Sequence, residues 1–239
     1  MAILNNNTLV GSSGQGDSSY TIDNSLRFRS SASAHLSRTP GSAGNRRTWT
    51  WSGWVKRGTL SALQAMFDAT SSGAHAYHLL RFYANDTLNL TLDNTGTVST
   101  TAVFRDTSAW YHFVLAVDTT QGTAANRVKF YVNGEQQSWS NTKYPSLNQE
   151  SDWMNTNDLY IGTKWASNSA GEGANDLGGY LAEVVLLDGT AASPTSFGEF
   201  DSNSGIWKPI DVSGLTFGSQ GYFLDFADAS DLGDDESGN

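Results

Sequence analysis

One stretch of the sequence, from Trp110 to Glu135, constrains the fold of the chain more than any other. Its first nine residues, Trp-Tyr-His-Phe-Val-Leu-Ala-Val-Asp, are mostly aromatic or aliphatic and are interrupted by His112. An apolar run of this length predicts a β-strand that is covered on both faces. A polar segment then separates this inner strand from the next one.

The second half of the stretch has a different pattern. Val128, Phe130 and Val132 alternate with charged residues and a tyrosine, which predicts a strand with one buried and one solvent-exposed face. Asn133 and Gly134 follow, and this pair favours a two-residue hairpin turn because both turn positions need positive φ. An inner strand, an outer strand and a tight turn are typical of an antiparallel sandwich of two sheets.

The remaining strand predictions rest on short apolar or alternating segments bounded by turn residues. Trp49, Trp51 and Val55 share one face of a predicted strand and are expected in the core, whereas Trp54 lies on the opposite face. The other predicted strands are 26–28, 34–36, 64–69, 77–84, 87–93, 99–104, 159–162, 178–188, 205–207 and 222–226.

The length of 239 residues suits one large all-β domain. We predict an extended arm at 1–19, a sandwich domain at 20–227 and a frayed acidic tail at 228–239. Ser193, followed by proline, predicts a single short helix at 194–200.

Composition excludes several classes of protein. The net charge is −10, which argues against binding to nucleic acid because phosphate contacts need clusters of Lys and Arg. Cysteine is absent, so the chain has neither disulfides nor thiolate metal sites. The first residues lack the basic and apolar regions of a signal peptide, and no apolar run is long enough to span a membrane.

Several motifs carry a resemblance to a known family. They are Trp-Tyr-His-Phe-Val at 110–114, Lys-Phe-Tyr-Val-Asn-Gly at 129–134, and flanking segments at 25–28, 48–56, 160–162 and 179–184. In this order they resemble the concanavalin A-like, laminin-G-like (LamG) family over residues 20–188. The resemblance implies an all-β jelly roll, the lectin/glucanase fold, with two antiparallel sheets.

Further segments resemble a subgroup found in structural proteins of tailed bacteriophages, namely 36–40, 49–57, 117–121 and 197–199 with 207–209. This likeness implies a virion protein, made in the host cytoplasm without a signal peptide. We expect a tail fibre or tail spike adhesin that binds host-surface carbohydrate through rim loops. Its partners would be other virion subunits in a homo-oligomer, a trimer by analogy with phage fibres. Two alternatives remain: a capsid decoration or fibre-attachment protein without glycan binding, and a glycan hydrolase.

The hydrolase alternative requires two carboxylates that flank the scissile bond, about 5–5.5 Å apart in retaining enzymes. On one strand this means acidic residues at alternating positions. Glu135, Glu150, Glu172, Glu183 and Glu199 show no such pairing within the predicted strands. The sequence therefore predicts a binding protein and no enzyme.

Carbohydrate binding in rim loops needs exposed aromatic rings. Trp139, Tyr144, Trp153 and Trp165 lie in two long polar segments, where they could stack on sugar rings. The alternative is that these rings pin the loops to the sandwich.

Calcium is the cofactor that the family resemblance implies, since LamG-like relatives often hold one ion at the rim. Asp68 and Asp118 are the candidate ligands, because carboxylates at strand ends supply the hard oxygens that Ca²⁺ prefers. The alternative is that they cap turns. His112 is predicted to be a hydrogen-bonded core residue, because the four histidines show no metal-binding spacing.

Overall fold

The structure is a computed structural model that describes residues 20–70, 77–92, 96–164 and 175–239. The strands in these ranges are β1 (Leu26–Phe28), β2 (Leu36–Arg38), β3 (Thr48–Arg57), β4 (Gln64–Thr70), β5 (Tyr77–Phe82), β6 (Thr87–Leu92), β7 (Gly96–Val103), β8 (Tyr111–Asp118), β9 (Val128–Val132), β10 (Glu135–Gln136), β11 (Trp139–Lys143), β12 (Leu159–Ile161), β13 (Gly179–Asp188), β14 (Gly198–Phe200), β15 (Trp207–Pro209) and β16 (Tyr222–Leu224). Short 3₁₀ turns lie at Ser30–Ala32, Ala124–Asn126, Asp152–Met154 and Pro194–Ser196. Within the described ranges, no helix has the length and apolar character needed to cross a membrane.

The strands form two seven-stranded antiparallel sheets. The first sheet has the order β1-β13-β3-β8-β9-β10, with β16 also paired to β13, and the second has the order β11-β7-β6-β5-β4-β12-β2. Strands β14 and β15 form a separate hairpin. The predicted all-β sandwich with two antiparallel sheets is confirmed.

The central strands carry the predicted core residues. Trp49, Trp51 and Val55 in β3 are fully buried between the sheets, where they meet Phe67 and Leu80 of the second sheet. Each buried aromatic side chain removes roughly 150–250 Å² from water, so these rings supply much of the hydrophobic stabilisation. The opposite face of β3 is buried as well, since Thr50, Ser52 and Trp54 are at most 3% exposed.

The first sheet is covered on its outer face as well. Val114 of β8 and Val185 of β13 pack there against Phe197, Val212 and Phe223. The chain that follows β13 supplies most of this cover. The fully apolar run in β8 is explained by this arrangement, because both faces of the strand are buried.

The predicted hairpin turn also forms. Asn133 and Gly134 have φ values of 48° and 82°, and they connect β9 to β10. A Cβ on Gly134 would lie 2.4 Å from the ring of Trp207. Glycine is thus required here both for its positive φ and for close packing.

A buried ion pair joins β3 to the turn between β5 and β6. Arg57, which is 1% exposed, donates to Asp86 at 2.9 Å and to the carbonyl of Phe104 at 2.7 Å. Its guanidinium also lies 4.1 Å from the ring centroid of Phe82. Arg105 donates to the second oxygen of Asp86 at 2.9 Å. The carboxylate therefore neutralises a charge that burial alone would disfavour.

Two predictions about the C-terminal part are wrong. The predicted helix at 194–200 is a single 3₁₀ turn followed by β14, because Gly198 to Phe200 pair with β15. The tail at 228–239 is not frayed, since the N–H of Phe223 donates to Asp235 at 3.0 Å and the N–H of Glu236 donates to Phe223 at 2.9 Å. These bonds hold the tail against β16.

Candidate functional site

The aromatic side chains predicted to stack on sugars do not form one surface. Trp153 is fully buried, and its indole N–H donates to the carbonyl of His78 at 2.5 Å. Its ring packs edge-on against Trp49, with 4.6 Å between the centroids. Because the indole has no exposed face, the prediction that Trp153 contacts a sugar is wrong. The ring pins its loop to the core instead.

Trp139 and Tyr144 are half-buried and pack against the main core. Trp139 lies in edge strand β11, and its ring centroid is 6.0 Å from that of Phe130. Sugar binding by these two residues stays a prediction. Trp165 lies outside the described residues.

Asp68 and Asp118 are not brought together. Asp68 is fully buried in β4 of the second sheet, whereas Asp118 ends β8 of the first sheet. Asp118 accepts hydrogen bonds from Thr120 N at 3.0 Å and from Gln121 Nε2 at 2.6 Å. Partial burial raises its pKa, but these and further hydrogen bonds from Thr120 and Thr48 outweigh burial and lower the pKa below its ordinary value.

Asp118 is therefore a turn cap, as the alternative interpretation held, and the two carboxylates do not form the predicted calcium site. In the described part of the chain, no group of three or more His, Asp or Glu side chains could hold a metal ion.

The outer face of the second sheet carries a cluster of polar side chains from neighbouring strands. Arg81 in β5 lies opposite Asn89 in β6, and Asn89 lies opposite Ser99 in β7. Asn89 donates from Nδ2 to Ser99 Oγ at 2.8 Å, and Thr91 donates to Asn89 Oδ1 at 3.2 Å. We call Arg81, Tyr83, Asn89, Thr91 and Ser99 the polar face.

Arg81 is the most unusual member of the polar face. Its Nη2 donates to the hydroxyl of Tyr83 at 2.9 Å, and its guanidinium lies 4.6 Å from the centroid of the Tyr83 ring. Its Nε is buried, and no acceptor within the described ranges bonds to it. A buried donor without an acceptor costs about 1–3 kcal/mol. The guanidinium is thus held in place with one donor still unsatisfied.

The local sequence explains why these polar groups point outward. Leu88, Leu90 and Leu92 of β6 all contact the core. Since successive strand residues point to opposite faces, Asn89 and Thr91 must lie on the outer face. The signal was present in the sequence, but it was interpreted only as a half-buried strand, and the outward residues were not considered as a site.

A serine in β3 and a histidine in β8 of the first sheet resemble a catalytic nucleophile and its base, but they cannot take these roles. Ser52 Oγ and His112 Nε2 are 2.9 Å apart, and each residue is 1% exposed. The indole N–H of Trp207 donates to His112 Nδ1 at 2.9 Å. Nδ1 is therefore an acceptor, and Nε2 carries the proton and cannot take one from serine. The prediction that His112 is a hydrogen-bonded core residue is confirmed.

One pair of carboxylates was missed by the sequence reasoning. Glu199 lies in β14, and Asp201 follows two residues later on the same side of the hairpin, where both contact Lys208 at 3.3 and 3.4 Å. The pair escaped notice because a helix was predicted there. Hydrogen bonds from the backbone and side chain of Ser204 lower the pKa of Asp201 to about 2. An acid this strong is ionised at neutral pH and is unsuited to protonating a leaving group.

A further buried carboxylate lies at a bulge in β13. Glu183 is 4% exposed, has a positive φ of 48° and accepts a hydrogen bond from the hydroxyl of Tyr20 at 3.0 Å. Burial raises the pKa of Glu183 to about 8; the Tyr20 bond opposes this effect, and the charges of Asp211 and Asp225 reinforce it. The group is mostly protonated at neutral pH and is sealed from solvent.

The two packed antiparallel sheets define an all-β sandwich. The chain belongs to the Concanavalin A-like lectin/glucanases superfamily, whose profile matches residues 28–195. A search of the curated proteins finds no match. The family assignment confirms the resemblance on which the fold prediction was based.

Solved structures agree with this assignment at the level of the fold. A heptameric SAP-like pentraxin from Limulus polyphemus has a TM-score of 0.51 and 16% identity over 71% of this chain and 77% of the pentraxin chain. Domains LG4-5 of the mouse laminin α1 chain also give 0.51, with 12% identity over 85% of this chain; the match spans 47% of the laminin chain. A Trypanosoma rangeli sialidase in complex with sialic acid has a TM-score of 0.45, with 18% identity over 63% of this chain and 22% of the enzyme. A similarity this low says nothing about activity.

Proposed function

We propose that the chain binds a glycan without breaking it, and that the polar face is the binding surface. The observation that carries this proposal is the guanidinium of Arg81. It is fixed by Tyr83, and its buried Nε–H has no acceptor among the described residues. Arg81 as a whole is only partly buried, and its guanidinium offers further N–H donors to a sugar hydroxyl or carboxylate oxygen.

The other members of the polar face match sugar chemistry. A sugar hydroxyl both donates and accepts, and Asn, Ser and Thr side chains offer both functions while Arg offers donors alone. Asn89 is 1% exposed and supports the surface from beneath, because it is bonded to Thr91 and to the partly buried Ser99. These bonds fix the orientation of the neighbouring side chains before a ligand arrives. Preorganisation of this kind lowers the entropic cost of binding.

The first sheet is less suited to this role. Its outer face is packed against Phe197, Val212 and Trp207. Binding without catalysis is supported by the neutral, buried state of His112 and by the ionised state of Asp201. An ionised Asp201 cannot serve as the protonated general acid that glycoside cleavage needs, and His112 is 1% exposed.

We further propose that the glycan lies on a host cell and that the protein is a tail fibre or tail spike component of a bacteriophage. Support comes from the phage-like segments at 36–40, 117–121 and 207–209. The protein would work as a homo-oligomer within the virion, attached to other virion subunits, with a trimer as the expected state. Several weak sites on one particle can raise avidity by roughly 10²–10⁴.

A glycan array with purified protein tests the binding proposal. Wild-type protein should bind a subset of bacterial surface glycans, and Arg81→Ala should lose that binding. Lys129→Ala is the matched control, because Lys129 lies in β9 of the first sheet. Loss of binding in both variants, or in neither, would count against the polar face.

Location on the particle tests the virion role separately. Gold-labelled antibody should mark the tail fibres or spikes of intact phage. Label on the capsid, together with no binding to any glycan, would support the decoration or attachment role instead. Release of reducing ends from host polysaccharide would support the hydrolase.

A further inference from the structure

The polar face continues onto β11, the edge strand of the second sheet. Arg81, Asn89 and Ser99 form one row across β5, β6 and β7. Asn141 of β11 lies opposite Ser99 and extends this row to the edge of the sheet. Residues directly opposite each other in an antiparallel pair share one face of the sheet, so the side chain of Asn141 belongs to the same surface.

A second row runs beside the first and ends in a cation. Thr91 of β6 lies opposite Thr97 of β7, and Thr97 lies opposite Lys143 of β11. Lys143 is exposed, and Thr97 is half-buried. The surface therefore has a guanidinium on β5 and an ammonium on β11, with amide and hydroxyl groups between them.

The protein does not neutralise these two cations. Arg57 is paired with Asp86, but among the described residues no carboxylate forms a salt bridge with Arg81 or Lys143. Asp68 lies on the outer face of β4, but it is fully buried. The exposed charge of this surface is thus positive, although the chain has a net charge of −10.

The separation of the two cations sets the size of the ligand. Strands β6 and β7 lie between β5 and β11, so three strand-to-strand steps separate Arg81 from Lys143. At about 4.8 Å for each step and about 3.3 Å for each residue along a strand, the two backbone positions are roughly 16 Å apart. A single sugar ring is too short to reach both cations, whereas an oligosaccharide spans them.

We propose that the glycan of the polar face is an acidic oligosaccharide with at least two anionic groups, carboxylate or sulfate, one bound by Arg81 and another by Lys143. Its hydroxyls contact the neutral side chains between the two cations. This inference rests on the glycan binding proposed above and adds the class of sugar. Charge-assisted hydrogen bonds are roughly twice as strong as neutral ones, so the two cations favour an acidic chain over its neutral counterpart.

An array that holds each acidic polysaccharide beside its neutralised counterpart tests the inference. Alginate, polygalacturonate and hyaluronan are spotted with their carboxyl-reduced forms, and acidic bacterial surface polysaccharides with their carboxyl-reduced or desulfated forms. Wild-type protein should bind an acidic member about 10–100 times more tightly than its neutral counterpart. Equal binding to the two members, or binding to neutral glycans alone, would overturn the inference and leave glycan binding at the polar face standing. Absence of binding to every spot would overturn both proposals.

Lys143→Ala isolates the charge at the edge strand. Its affinity for the acidic polysaccharide should fall about 2–5-fold, as expected for one exposed ion pair, while its affinity for the neutral counterpart stays unchanged. Lys143→Arg should restore the preference for the acidic form. Lys129→Ala removes the same charge from β9 of the first sheet and should keep the preference. Equal losses in Lys143→Ala and Lys129→Ala would show that net charge alone sets the affinity, and would overturn the role given to Lys143.

Discussion

Trp207 donates its indole N–H to Nδ1 of His112 across 2.9 Å, and this bond fixes the histidine as a neutral imidazole. Trp54 stacks on the other side of the ring, with 4.7 Å between the centroids. Burial lowers the pKa of His112 to about 3. The Ser52–His112 pair resembles a catalytic dyad, but His112 instead connects the first sheet to the β14–β15 hairpin through its hydrogen bond with Trp207.

The titration of His112 predicts acid sensitivity. Its pKa in the folded state is about 3, below the ordinary 6.5, so the unfolded chain binds more protons between these values and stability falls as pH drops from about 6.5 towards 3. His112→Gln should flatten this part of the profile. Urea unfolding at pH 7.5, 5.5 and 4 measures it. Equal slopes for wild type and variant would refute the buried, neutral state.

Glu183 predicts the opposite trend at higher pH. Its pKa of about 8 in the folded state lies above the ordinary 4.5. The stability that Glu183 contributes is therefore fully present below pH 4.5 and is lost as pH rises through 8, because the ionised carboxylate is disfavoured in the folded state. Glu183→Gln keeps an acceptor for Tyr20 and removes the cost. The variant should be more stable than wild type by roughly 2–4 kcal/mol at pH 8.5, since one pKa unit is worth about 1.4 kcal/mol. Similar stabilities of the two proteins at pH 8.5 would contradict the raised pKa.

The Arg57–Asp86 pair predicts a large loss of stability. Asp86→Asn leaves the buried guanidinium of Arg57 without its counter-charge, which should cost about 3–5 kcal/mol. Asp106 is a suitable control because it is exposed and caps a local turn. Denaturant unfolding should show a much larger loss of unfolding free energy for Asp86→Asn than for Asp106→Asn. Comparable losses in the two variants would show that the ion pair contributes little to stability.

Trp153 predicts a loss of stability without a specific loss of binding. Removal of its fully buried ring by Trp153→Ala should cost about 3–5 kcal/mol. Glycan affinity should stay at the wild-type value at a temperature where the variant is folded. Circular dichroism and calorimetric titration measure the two effects separately. A stable variant that cannot bind would restore Trp153 as a contact residue.

The fold was largely predictable because its signals are local. Alternation in 48–56 and the apolar run at 110–118 correctly indicated strands, and Asn133-Gly134 indicated the turn. The alternation did not indicate that β3 is buried on both faces. The burial of Trp153 was not predictable in this way, since it depends on contacts with Trp49 and Phe67. The docking of the acidic tail likewise depends on partners far away in the sequence.

The candidate site was harder to predict than the fold. The search for exposed aromatic loops led away from the polar face, whose members are spaced among core residues. Arg81 lies between Leu80 and Phe82, and Asn89 lies between Leu88 and Leu90. Period-two alternation places such residues outward, but only the pairing of β5, β6 and β7 brings them together.

The most direct measurement of the central claim is NMR of the Arg81 Nε–H and the Asn89 side-chain amide during titration with a glycan selected on the array. Binding at the polar face predicts saturable shifts of both resonances with one dissociation constant. The Nε–H of Arg127, which already donates to the carbonyl of Gln121 at 2.8 Å, should not move. Saturable shifts confined to the Trp139 indole and its neighbours, with Arg81 and Asn89 unchanged, would contradict the account.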